Sequence, residues 1–236
     1  MISICIATYN GEKYIKDQLI SILHQIRDKD EVIISDDNST DNTLKVIKSF
    51  NDNRIKIFMN TKEKGYTRNF ENALEKAHGD IIFLSDQDDI WMSNKVNVCV
   101  RGLKNSDLIV HDGHMVNKNL DVFNESIFEF RNVKNGFFQN FVNIKYLGCC
   151  MAFNKNILNK SLPFPADQIL TTHDSWLTLV AELYFSVTLI HQPLIKYRRH
   201  GDNTSLGGAK GNNSLIKKIL IRMYSLFHLI KIYFRK

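Results

Sequence analysis

Short apolar runs alternate with segments of helical periodicity through the first half of the chain. The runs are rich in β-branched residues, which is typical of strands buried on both faces. They lie at residues 2–7, 32–35, 55–58 and 81–84. Between them, apolar residues recur three and four positions apart, as at Ile15, Leu19, Ile22, Leu23 and Ile26. This order predicts an α/β fold, in which helices cover a parallel sheet through right-handed crossovers.

Polar side chains follow three of the predicted strands. The strings are TYNG (8–11), DDNSTD (36–41) and DQDD (86–89). Ligands of parallel sheets bind beyond the carboxyl ends of the strands. We therefore expect these three loops to converge on one edge and form a site there.

The pattern loosens after about residue 105. Mixed strands and short helices come first, then a periodic segment at 173–184 and a strand-like run at 187–190. No linker and no internal repeat divides the chain, so the 236 residues predict one globular domain.

Charge is distributed unevenly. The net charge is +6, with 31 Lys and Arg against 25 Asp and Glu. Seven basic and no acidic residues follow Asp202, so the first 202 residues carry 24 basic and 25 acidic side chains. An evenly basic surface would suggest nucleic acid; one basic segment instead suggests an anionic partner for that segment alone, and no nucleic acid.

Cysteine usage and the N-terminus suggest a compartment. The four cysteines have no CxxC spacing, which favours a reduced, cytoplasmic environment. The first residues lack a basic region and become polar after about eight positions, unlike a secretory signal. No stretch approaches the roughly 20 apolar residues that span a bilayer.

The DQDD string suggests a cation site. Carboxylates this close repel each other, and a divalent cation with oxygen ligands would compensate them. Such a cation usually shares its coordination sphere with phosphates and water, which suggests a substrate diphosphate. A solvated acidic turn is the alternative.

Three other polar strings each have a functional and a structural interpretation. For Asp36 the sequence supports equally a functional role and a turn in which Ser39 or Thr40 caps the next helix, whereas Asp37 could accept a hydrogen bond from a base or ribose. Asp174 could act as a general base, although helix capping is favoured by the sequence alone. The string YRRH (197–200), before a glycine-containing loop, suits a phosphate-binding lid or a basic surface patch.

Together these strings resemble the family 2 glycosyltransferases of the GT-A fold. The resemblance covers residues 1 to about 205 in order and spacing, and SDQDDIW is most similar to bacterial polysaccharide enzymes that include rhamnosyltransferases. It rests on IATYNGEKY (6–14), ISDDNSTDNT (34–43), GYTRNFENALEKAHGDIIFLSDQDDIW (65–91), HDSW (173–176) and YRRHGDNTS (197–205).

The resemblance implies a nucleotide site. Ala7 and Tyr9 would lie beside the base, Asp37 would accept a hydrogen bond from it, and Arg68 would reach the base or the phosphates. Asp86 would lie beside the nucleotide as the first carboxylate of the DXD element.

It also implies a metal and a phosphate site. Asp88, and with it Asp86, would bind Mg²⁺ or Mn²⁺, and His200 matches a position that contacts the metal or the diphosphate. Arg198 and Arg199 would neutralise the phosphates.

On the acceptor side, Asp174 matches the family's general base. Trp91, Gly148, His173 and Trp176 would lie near the acceptor. The residue before the base is usually acidic or Gln but is His173 here, and the usual acceptor-loop glycines are reduced to Gly148.

The resemblance implies an inverting transferase that moves a sugar from dTDP-rhamnose or a UDP-sugar to a lipid-linked polysaccharide. Residues 1–105 would form the nucleotide-binding half and residues 106–205 the acceptor-side half. A nucleotide-sugar-binding subunit without transfer activity is the alternative. A phosphohydrolase is disfavoured because Ile90 and Trp91 replace the expected DxDx[TV] context.

Residues 206–236 are expected to form a basic amphipathic helix. Basic residues occupy about half of its helical wheel, opposite Ile219, Met223, Leu226, Phe227, Ile230 and Phe234. Three apolar residues also fall in the basic half of the wheel, namely Ile221, Leu229 and Ile232. Such a helix can lie in an anionic membrane, which would make the protein peripheral on the inner face of the cell membrane. The alternative is a helix packed on the domain with its cations in water.

Overall fold

The computed structural model describes residues 1–201 and 214–234. Its strands are β1 (Ile2–Thr8), β2 (Glu31–Asp36), β3 (Ile55–Met59), β4 (Ile81–Ser85), β5 (Ile90–Trp91), β6 (Leu108–Val116), β7 (Val122–Asn124), β8 (Met151–Asn154) and β9 (Val187–Arg198). Its helices are α1 (Ile15–Leu23), α2 (Thr43–Lys48), α3 (Tyr66–Leu74), α4 (Lys95–Gly102), α5 (Ile127–Arg131), α6 (Phe137–Val142), α7 (Lys155–Ser161), α8 (His173–Tyr184) and α9 (Leu215–Tyr233).

The described strands form one mixed sheet in the order β3-β2-β1-β4-β8-β6-β9-β5, with β7 paired to β6. The first four strands are parallel, as predicted. Beyond β4 the sheet continues through antiparallel pairs to β8 and β6, and a parallel pair joins β6 to β9. The α/β prediction is confirmed.

The apolar runs are buried because helices cover both faces of the central strands. Every residue of β2 is buried, and so are all but one residue of β1. Ile4, Ile33 and Phe83 are completely inaccessible. Burying side chains of this size stabilises the fold by about 1.5–3 kcal/mol each.

The parallel register places the polar loops together. Thr8 pairs with Asp36 between β1 and β2, and Ile6 pairs with Ser85 between β1 and β4. The three strands therefore end side by side, and the loops after them leave the same edge of the sheet, as predicted.

Polar residues of α3 connect that helix to the same edge. The Asn69 amide donates to the Thr8 carbonyl at 3.0 Å, and the Asn72 amide donates to Ser35 Oγ at 2.7 Å. These buried bonds fix the beginning of α3 beside the loops of β1 and β2.

The second half of the chain matches the sequence pattern. The segment predicted at 173–184 is α8, and the strand-like run at 187–190 begins the longer strand β9. In the part of the chain that is described, no helix is both long and apolar enough to cross a bilayer.

We expect Phe83→Ala to lower the free energy of unfolding by about 3–5 kcal/mol, because it leaves a cavity in the centre of β4. The Phe83 ring packs against Trp91 with ring centroids 5.4 Å apart. Urea unfolding followed by circular dichroism measures the change. The control is Phe138→Ala: Phe138 is 82% exposed, and we expect a change within about 0.5 kcal/mol. Equal effects of the two substitutions would contradict this description of the core.

Candidate active site

The loops after β1, β2 and β4 open into a cavity of about 850 Å³. The start of α3, the start of α8 and the end of β9 complete its walls. Of the residues that the sequence singled out, those lining the cavity are Ala7, Tyr9, Asp37, Asp86, Asp88, Gly148, His173, Asp174 and His200.

Arg68 does not line this cavity. Its buried guanidinium donates to Glu71 at 2.5 Å and to the carbonyls of Pro165 and Ala166 at 2.7 and 2.5 Å. The side chain thus connects α3 to the segment before α8. A contact with a base or phosphate would require it to leave these acceptors.

Trp91 and Trp176 lie in the core rather than at the cavity wall. Trp91 is buried against Phe83, and the Trp176 indole N–H donates to the Ser161 carbonyl at 2.9 Å. Neither tryptophan lines the cavity, so in this structure neither could contact an acceptor that is bound there.

The two aspartates after β2 have different surroundings. Asp36 is fully buried and accepts from the hydroxyls of Thr8 and Ser39 at 2.8 and 2.6 Å and from the Ser39 amide at 2.8 Å. Its carboxylate therefore closes the turn. Ser39 does not cap α2, whose N-cap is Asn42.

Asp37 faces the cavity. Its carboxylate accepts from the Asn60 amide at 2.8 Å and from the Gly65 N–H at 2.9 Å. Across the same loop, Lys64 lies 4.2 Å from the centre of the Tyr9 ring and donates to its hydroxyl at 3.1 Å. An aromatic face, a cation and an oriented carboxylate form one end of the cavity.

Gln87, the middle residue of the DQD string, holds the first loop. Its carboxamide accepts from the Tyr9 N–H at 2.9 Å and donates to the Tyr9 carbonyl at 3.0 Å. A Cβ on Gly11 would lie 2.3 Å from Gln87 Oε1, so a larger residue there would push the carboxamide away from Tyr9. Loop one and the acidic loop are thereby fixed to each other.

The acidic loop holds three carboxylates within a short distance. Burial, with the charges of Asp88 and Asp174, raises the pKa of Asp86 to about 7. Burial, followed by the charges of Asp88 and Asp86, raises the pKa of Asp89 well above its usual range. Among the described residues, Asp89 Oδ2 has no hydrogen-bond partner.

A buried cation lies beneath these carboxylates. Lys95 is inaccessible, its ammonium donates to the Cys149 carbonyl at 2.8 Å, and it lies 4.1 Å from the centre of the Trp91 ring. Its positive charge lowers the pKa of Asp86, against the stronger effects that raise it. Lys95 therefore offsets part of the repulsion within the loop.

The end of β9 is attached to the acidic loop. The Arg198 N–H donates to Asp89 Oδ1 at 2.9 Å, and its guanidinium donates to the Asp88 carbonyl at 2.7 Å. His200 Nε2 lies 2.8 Å from Asp88 Oδ2, and the His200 ring packs against Tyr14 with centroids 4.6 Å apart. The structure therefore places His200 in direct contact with Asp88.

The two arginines differ from His200 in position, because neither lines the cavity in the described structure. The Arg198 guanidinium lies 4.8 Å from the centre of the Tyr14 ring, which does line it. Arg199 donates from its backbone to the Val116 carbonyl at 2.7 Å and from its side chain to the Tyr197 hydroxyl at 3.3 Å.

The start of α8 places Asp174 in the cavity. Asp174 Oδ1 accepts from the Thr172 hydroxyl and from the Ser175 N–H at 2.7 Å, whereas Oδ2 accepts no hydrogen bond from the described residues. The N-cap of α8 is Thr172, and the Ser175 N–H belongs to the first turn, so one oxygen of the Asp174 carboxylate serves the start of the helix. One oriented carboxylate oxygen is left for a ligand.

His173 is a structural neighbour of that carboxylate. Its ring is stacked on Phe70 with centroids 4.1 Å apart, and burial lowers its pKa, which favours the neutral imidazole. A Cβ on Gly148 would lie 2.8 Å from His173 Nε2. Gly148 therefore leaves room for the histidine at the wall beside Asp174.

Sequence reasoning missed several residues that build the site. Gln87 could have been suspected, since an amide between two carboxylates of a DXD string can bond to backbone. Lys95, Tyr14 and Lys64 had no such signal, because a lone lysine or tyrosine in a helix or loop is ordinarily a surface residue.

The residues present fit a hard divalent cation. Asp86 and Asp88 line the cavity and supply carboxylate oxygens, and the crowded carboxylates would be relieved by added positive charge. Ligand atoms of Asp86, Asp89 and Cys149 lie within 4.8 Å of one another. A hydrogen bond with Cys150 and burial raise the pKa of the Cys149 thiol, so it stays protonated and is a poor ligand for Mg²⁺ or Mn²⁺.

A family model described as Glycosyl transferase family 2 matches residues 3–162. The match covers more than half of the chain and includes the loops after β1, β2 and β4. The match ends before Asp174 and β9, so it says nothing about these two parts of the site.

Two curated relatives illustrate the chemistry of similar proteins. The E. coli UDP-Glc:alpha-D-GlcNAc-diphosphoundecaprenol beta-1,3-glucosyltransferase WfgD is 37% identical over 98 residues, which is 42% of this chain and 39% of the relative. The dTDP-rhamnosyl transferase RfbG of Shigella flexneri is 42% identical over 98 residues, which is 38% of this chain and 34% of the relative. The matched segments span less than half of either relative.

Solved structures with a similar fold cover nearly the whole chain. S. aureus TarS 1-349 in complex with UDP-GlcNAc has a TM-score of 0.69 at 18% identity, over 95% of this chain and 71% of that one. The mannosyltransferase PcManGT from Pyrobaculum calidifontis, in complex with GDP-Man and Mn²⁺, has a TM-score of 0.65 at 20% identity, over 98% of this chain and 64% of that one. At these identities the likeness concerns the fold, and the predicted GT-A-type fold is confirmed.

We expect Gln87→Leu to release the first loop, because the Tyr9 N–H and carbonyl lose their side-chain partners. The Tyr9 amide should exchange with deuterium at least about tenfold faster, as about 1.4 kcal/mol of lost local stability would produce. Hydrogen exchange with mass spectrometry measures this on the peptide containing Tyr9. Gln139→Leu, at an exposed glutamine of α6, serves as the control and should leave that peptide unchanged. Unaltered exchange in Gln87→Leu would show that the loop does not depend on this side chain.

Proposed function

The chain belongs to glycosyl transferase family 2, and we propose that it is an inverting glycosyltransferase with a nucleotide-sugar donor. The sugar would pass to a hydroxyl group of a growing, lipid-linked cell-surface polysaccharide. The donor would be dTDP-rhamnose or a UDP-sugar, in line with the donors named for the Shigella and E. coli relatives.

One observation carries the proposal. Asp174, with one carboxylate oxygen held by Thr172 and Ser175, shares a single cavity with the acidic loop and with the slot formed by Tyr9 and Asp37. A protein that only bound a nucleotide sugar would have no need of an oriented base on the far side of the diphosphate site.

The residues of the chain suggest how the reaction would proceed. Asp174 would take the proton of the acceptor hydroxyl as the hydroxyl oxygen forms a bond to the anomeric carbon. The bond between that carbon and the diphosphate oxygen breaks, and its electron pair leaves with the nucleoside diphosphate. One displacement at the anomeric carbon inverts its configuration.

The donor would lie along the loops. Tyr9 and Ala7 would contact the base, Asp37 would accept from it, and His200, Arg198 and Arg199 would provide positive charge near the leaving diphosphate. A Mg²⁺ or Mn²⁺ ion held by Asp86 and Asp88, with His200 nearby, would neutralise the diphosphate when bound.

The parts of the chain would divide the work. Residues 1–105 would bind the nucleotide and residues 106–205 the acceptor. In support, Asp37 comes from the first of these segments and Asp174 from the second, and both line the cavity. The predicted boundary between 205 and 206 lies outside the described residues. An acceptor on a polyprenyl lipid is held at a membrane, so we also propose that the protein is cytoplasmic and peripheral on the inner face of the cell membrane.

Removing the base tests the transfer step. We expect Asp174→Asn to lower kcat by at least about 100-fold, as loss of a general base does, with nearly unchanged affinity for the nucleotide. Transfer from a panel of dTDP- and UDP-sugars, followed by mass spectrometry, measures kcat, and calorimetry with UDP and dTDP measures binding.

Asp121→Asn is the matched control, because Asp121 is exposed and does not line the cavity. It should behave as the unmodified protein. Normal turnover in Asp174→Asn would remove this residue from the mechanism. Nucleotide-sugar binding without transfer in the unmodified protein would instead favour the binding-subunit alternative.

Removing a metal ligand tests the cation. Loss of a partner that only supports a ligand typically lowers metal affinity by about 10- to 100-fold, so Asp88→Asn should weaken Mn²⁺ binding in the presence of UDP by at least roughly tenfold. Electron paramagnetic resonance of free Mn²⁺ measures this, and EDTA should abolish transfer by the unmodified protein. Full activity in EDTA would contradict the metal assignment while leaving the role of Asp174 intact.

A further inference from the structure

The C-terminal helix α9 packs on the domain through a narrow strip. Its buried residues are Ser225, Leu229 and Ile232. The Tyr184 hydroxyl donates to the Leu229 carbonyl, and the Lys160 ammonium donates to the Ile232 carbonyl, both at 3.0 Å. Leu229 and Ile232 are two of the apolar residues that interrupt the polar half of the helical wheel, and their contact with the domain explains that interruption.

The opposite side of α9 is apolar and exposed. We call it the outer apolar face; it consists of Ile216, Ile219, Leu220, Met223, Leu226, Phe227, Ile230 and Phe234. At 100° per residue these positions occupy roughly a third of the circumference, away from the buried strip. The helix is therefore packed on the domain, as in the alternative drawn from the sequence, but its wider apolar side is turned away from the domain.

Exposed apolar side chains of the domain adjoin this face on both sides of the helix. Arg222 donates to the carbonyl of Val142, and Val142 and Phe138 of α6 are 66% and 82% exposed. On the other side, the Tyr224 hydroxyl accepts from the Asp167 N–H at 2.9 Å, and nearby Ile169 is 74% exposed. Scattered apolar residues are ordinary on a surface, but eight exposed apolar side chains on one side of a single helix form a continuous group, which marks an interaction site.

The charges around the face identify the partner. At 100° per residue Lys231 and Arg222 flank it on its two sides, Lys217 lies beyond Lys231, and residues 214–234 contain no acidic side chain. Bulky apolar and aromatic residues with a lysine and arginine border are typical of helices that lie in the plane of an anionic membrane surface. A protein partner would usually bury a more mixed surface.

The helix that carries this face packs, through its buried strip, beside the segment that leads to Asp174. Ser225 Oγ is 3.4 Å from Thr171 Oγ1, and Thr171 is followed by Thr172, which holds the carboxylate of Asp174. Attachment of α9 to a bilayer would thus bring the wall that contains Asp174 close to lipid-borne molecules.

We propose that the outer apolar face of α9, with Phe138, Val142 and Ile169, binds the surface of an anionic phospholipid bilayer. Bound in this way, the protein presents the Asp174 side of its cavity to an acceptor embedded in the same bilayer. The proposed membrane contact is argued from the exposure and charge of the surface around α9. The presentation of an acceptor rests in addition on the proposed transferase function.

The test is vesicle flotation with the full-length protein. The vesicles contain phosphatidylglycerol and phosphatidylcholine in one set and phosphatidylcholine alone in the other. The variant is Met223→Glu with Phe227→Glu; both side chains are more than 60% exposed, so the fold should be retained. The control carries the same change in charge at exposed asparagines of other surfaces, Asn53→Glu with Asn97→Glu.

We expect the unmodified protein and the control to float with the phosphatidylglycerol vesicles and to partition at least tenfold more weakly to phosphatidylcholine. The Met223/Phe227 variant should lose at least tenfold in partition to the anionic vesicles. No flotation of the unmodified protein, or equal flotation of variant and control, would overturn the proposal. Equal partition to both kinds of vesicle would overturn the assignment to an anionic surface.

Two further measurements keep the alternatives apart. Sedimentation velocity without vesicles should show the same mass for variant and unmodified protein; a dimer lost only in the variant would assign the face to a second copy of this chain and overturn the proposal. Asp174→Asn should float normally, because vesicle binding needs no transfer. Flotation with no transfer by any protein would therefore overturn the proposed function and leave the membrane surface supported.

Discussion

Repulsion among Asp86, Asp88 and Asp89 is the constraint around which the site is organised. The loop follows a buried strand, and burial and mutual charge raise the pKa of Asp86 and of Asp89. The chain compensates from two directions. Lys95 lies beneath the loop without access to water, and the end of β9 binds it through Arg198 and His200. A divalent cation at the open side would complete the same compensation.

This compensation connects distant parts of the chain and gives the cavity its second wall. β9 reaches the acidic loop only because β6 and β8 extend the sheet beyond β4. The same extension positions α8, whose first turn carries His173 and Asp174. Gly148 then decides how closely the two walls approach, because any larger residue would displace the His173 imidazole. Both walls of the cavity therefore belong to one folded unit around one set of charges.

The C-terminal helix follows a different physical rule from the rest of the molecule. A helix that completes a core turns its widest apolar surface inward. In α9 the buried strip is narrow and includes a serine, and the larger apolar surface faces outward between cations. Such an arrangement is costly in water unless another apolar phase covers it. The near-neutral body and the basic helix therefore present different kinds of surface.

The sequence by itself determined strands β1 to β4, the helix at 173–184 and the convergence of three polar loops. The reason is that hydrophobic periodicity is a local property, and parallel strands place the loops that follow them at the same edge of the sheet. It also identified Asp37, Asp86, Asp88 and Asp174 as residues of one cavity. Only the tertiary structure decided that Arg68 clamps a loop, that Trp91 and Trp176 are core residues, that Gln87 and Lys95 build the site, and that the apolar side of α9 points outward. The position and contacts of each of these side chains depend on residues that are distant in the sequence and close in the fold. Neither composition nor periodicity contains that information.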